Sequence, residues 1–582
     1  MATTTEGHIR AGTLDEVKRR GCTVVIGGGH TIAVFAHDGQ AYAVDNRCPH
    51  MGFPLDRGSV KNGILTCHWH HARFDLSSGG TFDPFADDVR SFPISVVDGE
   101  VWVNLSPPVA DRIGRWSRRL EDGLEHNIRL VIAKSVLGLT VADTDYRMSL
   151  KIGAYFGTTY SDQGWGQAMS MLTCTANILS ELADEDRPRA LYQGLRHVAS
   201  ECAGRPPRFL VDSLPTGERR SEVFKSWFRG FIEVRDNEGA ERCLRTAIDV
   251  GVPPREIADI VFAGATDSIY LDAGHVVDFC NKAFELLDHI GWEHASQVLT
   301  SLVHGMATAR RSEELNSWRN PIDLSSLVHQ ARKELPTLYQ EGQEIRGEWY
   351  REKKLAGVML EDNPTATLDA IKEPVRTGAT PEQLGSTVAY AAFLRMTRFH
   401  TLNEFRDWDT VHNTLTAANA LHQALKRAPS VELTRAVFDT AMSVYLDRFL
   451  NIPAQRMPEP SNGKGGADAL RSQLLSYMDV QQQVEQAAQV VADYLGGENT
   501  PGDLIKTLGH AMLREDSGFH MFQMVDAGFK QYQERLGTES GRHVLIGLSR
   551  FLAAHSPTSR AVDQTYQIAV RLNRGEELYR NI

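Results

Sequence analysis

Two short segments in the first hundred residues each carry a thiol and an imidazole. Cys48-Pro49-His50 places them two apart and Cys67-His68-Trp69-His70 three apart, with sixteen residues, Met51 to Thr66, between His50 and Cys67. Two Cys and two His from two facing loops are the donors of a 2Fe-2S cluster in which one iron takes both sulfurs and the other both imidazoles. A zinc-binding β domain is the competing reading, although structural zinc more often uses C-x-x-C knuckles. Seven cysteines in 582 residues are few and odd in number. That argues against a secreted disulfide framework and makes a close Cys/His grouping metal-related.

Loops that must hold a metal rigidly need strands on either side. From Cys22 to Leu105 the chain is a series of short β-branched runs cut by Gly and Asp: Thr23–Ile26, Thr31–Ala36, Ala41–Val44, Gly63–Thr66, Ala72–Leu76, Phe92–Val97 and Val101–Asn104. Asp38-Gly39 and Asp98-Gly99 each stand between two such runs, the strongest short-range hairpin signal. The spacing predicts a sandwich-like β module of about 100 residues. After Pro107-Pro108 the character changes to long amphipathic segments, such as Phe438, Met442, Tyr445 and Phe449 at spacings of four, three and four. A chain of this length divides into several domains. The expected architecture is an all-β domain at 1–108 followed by a large all-α domain at 109–582. Its repeated helical units fall at about 109–245, 246–375, 376–460 and 467–582, with a flexible loop at Pro453–Gly466.

The pattern C-x-H, sixteen residues, C-x-x-H, followed by Phe74-Asp75 and the turn Ser78-Gly79-Gly80, resembles the Rieske family over roughly residues 8 to 106. The resemblance implies that Cys48 and Cys67 hold the inner iron and His50 and His70 the outer, solvent-facing one. His68 stands where the family usually has Pro, and His71 where it has Gly. The extra Cys pair of the respiratory branch is missing, since Gly52, Phe53 and Trp69 occupy that ground. The module therefore resembles the ferredoxin and oxygenase branch, with potentials in the lower part of the roughly −150 to +300 mV Rieske range.

The helical part contains an internal repeat. Thr380-Pro381 to Phe399-His400 aligns without gaps with Thr500-Pro501 to Phe519-His520, and Pro254 to His275 fits with two extra residues. The alignment makes His275, His400 and His520 equivalent. Each has a carboxylate three or four residues away, Asp272, Glu404 and Asp516 respectively, and His197 has Glu201. Such spacings put both side chains on one helix face, as helical bundles do when they assemble ligands for iron. The competing reading is a set of packing residues paired locally. The helical part is also similar, more weakly, to questin-oxidase-like proteins, helical enzymes of aromatic metabolism with recurring histidines. The D-x-x-H…H iron motif of ring-hydroxylating Rieske oxygenases is missing: Leu286 stands where the bridging Asp of Asp288–His294 would be needed.

Other classes are excluded by what the chain lacks. Lys+Arg 62 against Asp+Glu 74 gives a net charge of −12, which gains nothing from the counterion release that drives nucleic-acid binding. No apolar run is long enough to span a membrane and Met1–Arg10 has no signal core, so the expectation is a cytoplasmic protein with neither nucleic acid nor membrane as partner. There is no P-loop, no G-x-S-x-G and no nucleotide fingerprint, so electrons must come from a separate reductase or ferredoxin. A one-electron carrier fused to more than four hundred helical residues points to an oxidoreductase, an oxygenase whose helical domain holds a non-haem iron and takes a small apolar or aromatic substrate. Trp165, Tyr155, Tyr160 and Trp227 are candidates to line its pocket. The alternative is an electron carrier or redox sensor with a helical docking domain, and a homo-oligomer is compatible with either.

Overall fold

The computed structural model describes residues 4–5, 7–106, 112–142, 144–345, 349, 351–461, 465–576 and 578. The junction at Pro107-Pro108 and residues 462–464 of the expected flexible loop lie outside them. Contacts divide the chain into two compact units, Met1–Ile152 with Asp563–Ile582, and Gly153–Val562.

Among the described residues the first unit is built on eleven strands: β1 (Thr4–Thr5), β2 (His8–Thr13), β3 (Cys22–Gly27), β4 (His30–His37), β5 (Gln40–Asp45), β6 (Ser59–Lys61), β7 (Ile64–Thr66), β8 (Arg73–Asp75), β9 (Ser91–Phe92), β10 (Ile94–Val97) and β11 (Glu100–Asn104). They form three antiparallel sheets, β1-β2-β11-β10, β3-β4-β5-β9 and β6-β7-β8. Both Asp-Gly pairs make the expected tight hairpins, with Asp38 and Gly39 at φ +45° and +80° and Asp98 and Gly99 at +50° and +79°. Positive φ at both central residues matches the turn to the strands' right-handed twist. The run Phe92–Val97 is two strands and not one, because Pro93 has no N–H to continue a ladder. Helix α1 (Leu14–Arg20) opens on a capping box in which Glu16 N–H donates to Thr13 Oγ1 at 3.1 Å and Thr13 N–H donates to the Glu16 carboxylate at 2.8 Å.

This unit does not stop at residue 108. Helices α2 (Arg112–Glu125) and α3 (Arg129–Val141) belong to it, and so does the stretch from Asp563. The fully buried carboxylate of Asp87 binds them to the β module: Arg119 Nε of α2 donates to its Oδ1 at 3.0 Å, and Lys134 Nζ of α3 pairs with its other oxygen. Burial opposes the charge on Asp87, and the two cations overcome it and hold the group below the usual carboxylate range. Arg47 reaches the far end of the chain, donating to the carbonyls of Leu572 at 3.2 Å and Glu576 at 2.6 Å.

Among the described residues the regular elements of the second unit are all helices, as the spacing predicts, and it is one compact body. The helix Pro381–Thr397 packs on Asp407–Arg427 and on Glu539–Ala554, His275–Ile290 packs on Asp407–Arg427 and Gln167–Ile178, and Gln167–Ile178 packs on Phe519–Gln533. These contacts cross the boundaries expected near 245, 375 and 460. Many buried polar groups are paired, as where Arg332 Nε donates to Asp439 Oδ1 at 3.1 Å. Asp447 is less well answered: among the described residues only the Thr414 hydroxyl donates to its carboxyl group, at 2.7 Å, and burial pushes it up to about 7.

Asp447 therefore keeps its proton in the folded state while the unfolded chain loses one near pH 4. Stability of the helical unit should fall as pH rises from about 4 to about 7, by up to a few kcal/mol. Asp447→Asn removes this titration, so its melting temperature, measured against wild type from pH 4.5 to 8, should lose less over that window.

Candidate functional site

The thiol-imidazole segments form the loops between β5 and β6 and between β7 and β8. Each loop is closed by its own backbone: Cys48 N–H donates to Phe53 O and Gly52 N–H to Cys48 O in the first, and Cys67 N–H to Ala72 O in the second, all at 2.8 Å. Gly79, in the turn after β8, has φ +80°, and a Cβ there would lie 2.0 Å from Val89 O, so the loop closing this end of the module admits only glycine.

The loops bring the four donors together as two pairs. Cys48 and Cys67 are 2% and 1% exposed and lie in the apolar core with Leu55, Leu65 and Phe74. His50 is half-buried and His70 exposed, with ring centroids 4.8 Å apart. Sulfur thus lies inside and imidazole outside. The thiols hydrogen-bond to each other, which draws Cys67 down to about 6, with the amides of Trp69 and His70 helping, while the same contact and burial push Cys48 up. Burial lowers His50 to about 4 and lowers His70 as well, so both rings are neutral near pH 7. His50 Nδ1 is buried with no hydrogen bond among the described residues. A neutral imidazole with an unpaired inward nitrogen, beside a thiol pair ready to lose protons, fits a 2Fe-2S cluster.

The two departures from the family pattern have visible roles. His71 has φ +61°, the left-handed region where the family's Gly is unstrained, and His68 Nε2 lies 2.9 Å from Ser59 Oγ, tying the second loop to β6. The first loop is held from outside: Lys134 Nζ donates to Pro49 O at 2.5 Å while paired with Asp87. His50 packs edge-on against Phe85 at 5.0 Å.

In the helical unit the four expected histidines do not converge as a set. His275 and His520 influence each other electrostatically and share Phe519, whose ring lies 5.8 Å from His275 and 5.4 Å from His520. His197 faces elsewhere, its Nε2 3.0 Å from Ser517 O and its ring edge on Phe522. His400 sits in the turn after Pro381–Thr397, with its Nδ1 accepting from Leu402 N–H at 3.1 Å. The repeat explains the discrepancy. Each copy is a pair of helices, but the first helix and the segment after it are seventeen and nine residues (381–397, 398–406) in the middle copy and thirteen and five (501–513, 514–518) in the last. A gapless alignment consequently sets His400 against His520, whereas the residue on the second helix of the middle pair is His412.

His412 and His555 complete the group. The His412 ring is 4.8 Å from His520 and stacks at 5.1 Å on Phe551, which stacks at 4.0 Å on His555. His412 is fully buried, neither ring nitrogen makes a hydrogen bond of good geometry among the described residues, and burial with the neighbouring His520, His555 and His275 holds it well below its ordinary pKa. Second partners orient the others: Asp409 Oδ1 lies 2.8 Å from His520 Nδ1, and Phe551 O lies 2.8 Å from His555 Nδ1, leaving His555 Nε2 buried with no hydrogen bond among the described residues. This is how imidazoles are held ready for a metal. No three His, Cys, Asp or Glu side chains among the described residues are gathered tightly enough to ligate one ion as they stand.

His275 is presented by strained backbone. Tyr270, Asp272, Ala273 and Gly274 have φ of +44°, +46°, +55° and +89°, and a Cβ on Gly274 would meet Ala417 Cβ at 2.4 Å. Left-handed non-glycine residues cost on the order of 1 kcal/mol or more each and cluster at functional sites. The aromatic residues expected to line a pocket are dispersed: Trp165 is buried with its Nε1 donating to Ser170 Oγ, whereas Tyr155 and Trp227 are exposed.

Two outcomes are expected at the cluster loops. Replacing His70 should abolish the visible absorption and low average g-value of mixed Cys/His ligation, while replacing His71 should preserve both. Lys134→Met leaves Asp87 with Arg119 as its one cation and removes a positive charge near His50, so a lower midpoint potential and a lower melting temperature should result. Asp87→Asn added to it should bring the potential back toward wild type, read by spectroelectrochemical titration.

The Rieske [2Fe-2S] domain model matches residues 8–93. The anthranilate 1,2-dioxygenase ferredoxin subunit of Burkholderia cepacia is 32% identical over 105 residues, which cover 18% of this chain and 96% of that protein. The ferredoxin component of the alkene monooxygenase system of Xanthobacter autotrophicus is 31% identical over 81 residues, 14% of this chain and 66% of that one. Human apoptosis-inducing factor 3 is 33% identical over 84 residues, and the chain spans only 14% of its length. Among solved structures, the ferredoxin of carbazole 1,9a-dioxygenase from Nocardioides aromaticivorans is 27% identical, covering 17% of this chain and 98% of that one, with a TM-score of 0.17. Through this N-terminal module the chain belongs to the Rieske [2Fe-2S] family.

Proposed function

We propose that the chain is a Rieske-type oxidoreductase, an oxygenase that acts in the cytoplasm on a small apolar or aromatic molecule. In this reading residues 1–108 are the electron-transfer module, with Cys48 and Cys67 on one iron and His50 and His70 on the other. A second, non-haem iron is held by His275, His412, His520 and His555 in the helical unit, and electrons come from a separate reductase or ferredoxin. The observation that carries the reading is His412, a neutral imidazole buried with no hydrogen bond of good geometry to either nitrogen among the described residues, and with three more histidines near enough to act on it. Burying a polar ring unsatisfied costs about 1–3 kcal/mol, which a metal bond would repay.

When bound, the cluster would supply one-electron exchange, and an iron held by these histidines would supply dioxygen activation. The chain's own residues prepare for this. The amides on Cys67 favour its thiolate, Asp409 and the Phe551 carbonyl fix which nitrogens of His520 and His555 stay free, and Phe519, Phe551 and Trp408 keep the rings in an apolar surround. A carrier with a helical docking domain is the second reading, favoured by the ferredoxin components among its relatives.

Metal analysis decides between them. The oxygenase reading expects three irons per chain, falling to two in His412→Ala with the cluster spectrum intact. Two irons in wild type, unchanged in the variant, would leave the carrier.

A further inference from the structure

A cavity of about 720 Å³ lies in the helical unit against the second half of the helix His275–Ile290. That volume is in the range that holds small ligands, roughly 300–1,000 Å³. Its floor is polar and deeply buried: Asn281 and Glu285, four residues apart and so on one helix face, line it and are 0% and 8% exposed. Asn281 stands six residues, about 9 Å of helix, beyond His275, and Glu285 stands further still. The cavity is therefore a place apart from the histidine group.

The acids of the lining are already answered. Glu285 accepts from Asn281 Nδ2 at 2.8 Å and Lys530 Nζ at 2.5 Å on one oxygen, and from Lys282 Nζ at 2.9 Å and Asn177 Nδ2 at 2.7 Å on the other. Asp288 is gripped by both terminal nitrogens of Arg427, with Nη1 at 3.1 Å. Lys282 and Lys530 also pair with Asp526, and Lys426 pairs with Glu534. Counted with these partners, the five cations Arg255, Lys282, Lys426, Arg427 and Lys530 stand against the four carboxylates Glu285, Asp288, Asp526 and Glu534. Asp278, further in, adds only part of a charge near pH 7, because burial pushes its carboxyl up to about 7. The cation left over is Arg255, which lines the cavity, is exposed, and forms no ion pair among the described residues.

The lining also holds polar atoms without partners. Asn281 Oδ1, an acceptor, and Gln423 Nε2 and Arg427 Nε, both donors, are buried with no hydrogen bond among the described residues. Each costs about 1–3 kcal/mol while unanswered. The last torsion of an amide is soft, so a small turn brings Asn281 or Gln423 to a molecule seated in the cavity. The carbon walls are Phe284, whose ring lies 5.5 Å from the Arg427 guanidinium, and Trp292, which is half-buried and stacks on no ring among the described residues.

We propose that this cavity binds a small flat carboxylate whose ring carries one hydrogen-bond donor, such as a hydroxyl. The carboxylate takes the unmatched charge of Arg255 and the donors of Gln423 and Arg427, the hydroxyl meets Asn281 Oδ1, and the ring lies on Trp292. The site makes and breaks no bond. Nothing in it depends on an iron at the histidine group, so it stands under the oxygenase reading and under the carrier reading alike.

Isothermal titration calorimetry of the full-length protein tests the site with 4-hydroxybenzoate as the probe. Saturable binding of one molecule per chain is expected. It should be at least tenfold tighter than that of phenol, which has the donor without the charge, and of benzylamine, which has the opposite charge. Benzoate, which lacks the donor, should bind at least threefold more weakly. Arg255→Glu, at an exposed residue with no partner to lose, should weaken 4-hydroxybenzoate at least tenfold at an unchanged melting temperature, and Trp292→Leu should weaken it by a similar factor. No saturable heat at millimolar 4-hydroxybenzoate, phenol or benzylamine binding as tightly, or an affinity unchanged in Arg255→Glu or in Trp292→Leu would each overturn the proposal. Iron content decides the oxygenase reading separately and leaves these outcomes untouched.

Discussion

A carboxylate cut off from water must be neutralised where it stands, and most of this architecture follows from how each buried acid is answered. Asp87 is answered by cations from two different helices, and in being so it fixes α2 and α3 against the β module and steadies the Cys48 loop through Lys134. Asp439 takes Arg332, and Asp526 and Glu285 share two lysines. Where no cation comes close enough, as at Asp447, burial wins and the group keeps its proton. The same desolvation acts on bases in the opposite direction. It keeps His50, His275, His412 and His555 neutral, so their nitrogens are available to a metal instead of to a proton.

What could be read from the chain alone was whatever is local. The two cluster loops are each a few residues long and closed by their own hydrogen bonds, so spacing was enough to find them, and the Asp-Gly turns act within two residues. The missed pieces of the β module are instructive. Helix α1 had a readable signal, Thr13 followed three residues later by Glu16, and it was overlooked among strands. Strand β2 had none, because its partner β11 lies about ninety residues away and pairing at that range leaves no trace in local pattern. Strand β6 is three residues long and holds mostly exposed positions.

The helical site was half readable for a related reason. The repeat was found because Thr-Pro begins a helix wherever it occurs, and Pro at the first helical position with Thr before it is a local signal. The alignment lost its register from the end of the first helix onward, because that helix and the loop after it are each four residues longer in the middle copy. His275 and His520 survived because they begin the second helix of their pairs, whereas His412 lies six residues into its own and was displaced by His400. His555 lies outside the repeat. Its one sequence cue is Phe551, four residues earlier on the same face, a spacing too common in amphipathic helices to single it out.

The contact of Arg47 with the Leu572 and Glu576 carbonyls has a consequence for the order of events in the cell. The residue before the first cluster cysteine reaches for a segment that leaves the ribosome more than five hundred residues later, and the whole of Gly153–Val562 is translated in between. The helical unit is thus an insertion into the unit that bears the Cys/His loops. At about 5–20 residues per second, that interval lasts tens of seconds to minutes. During that time the β module exists without the carbonyls that Arg47 bonds in the finished fold.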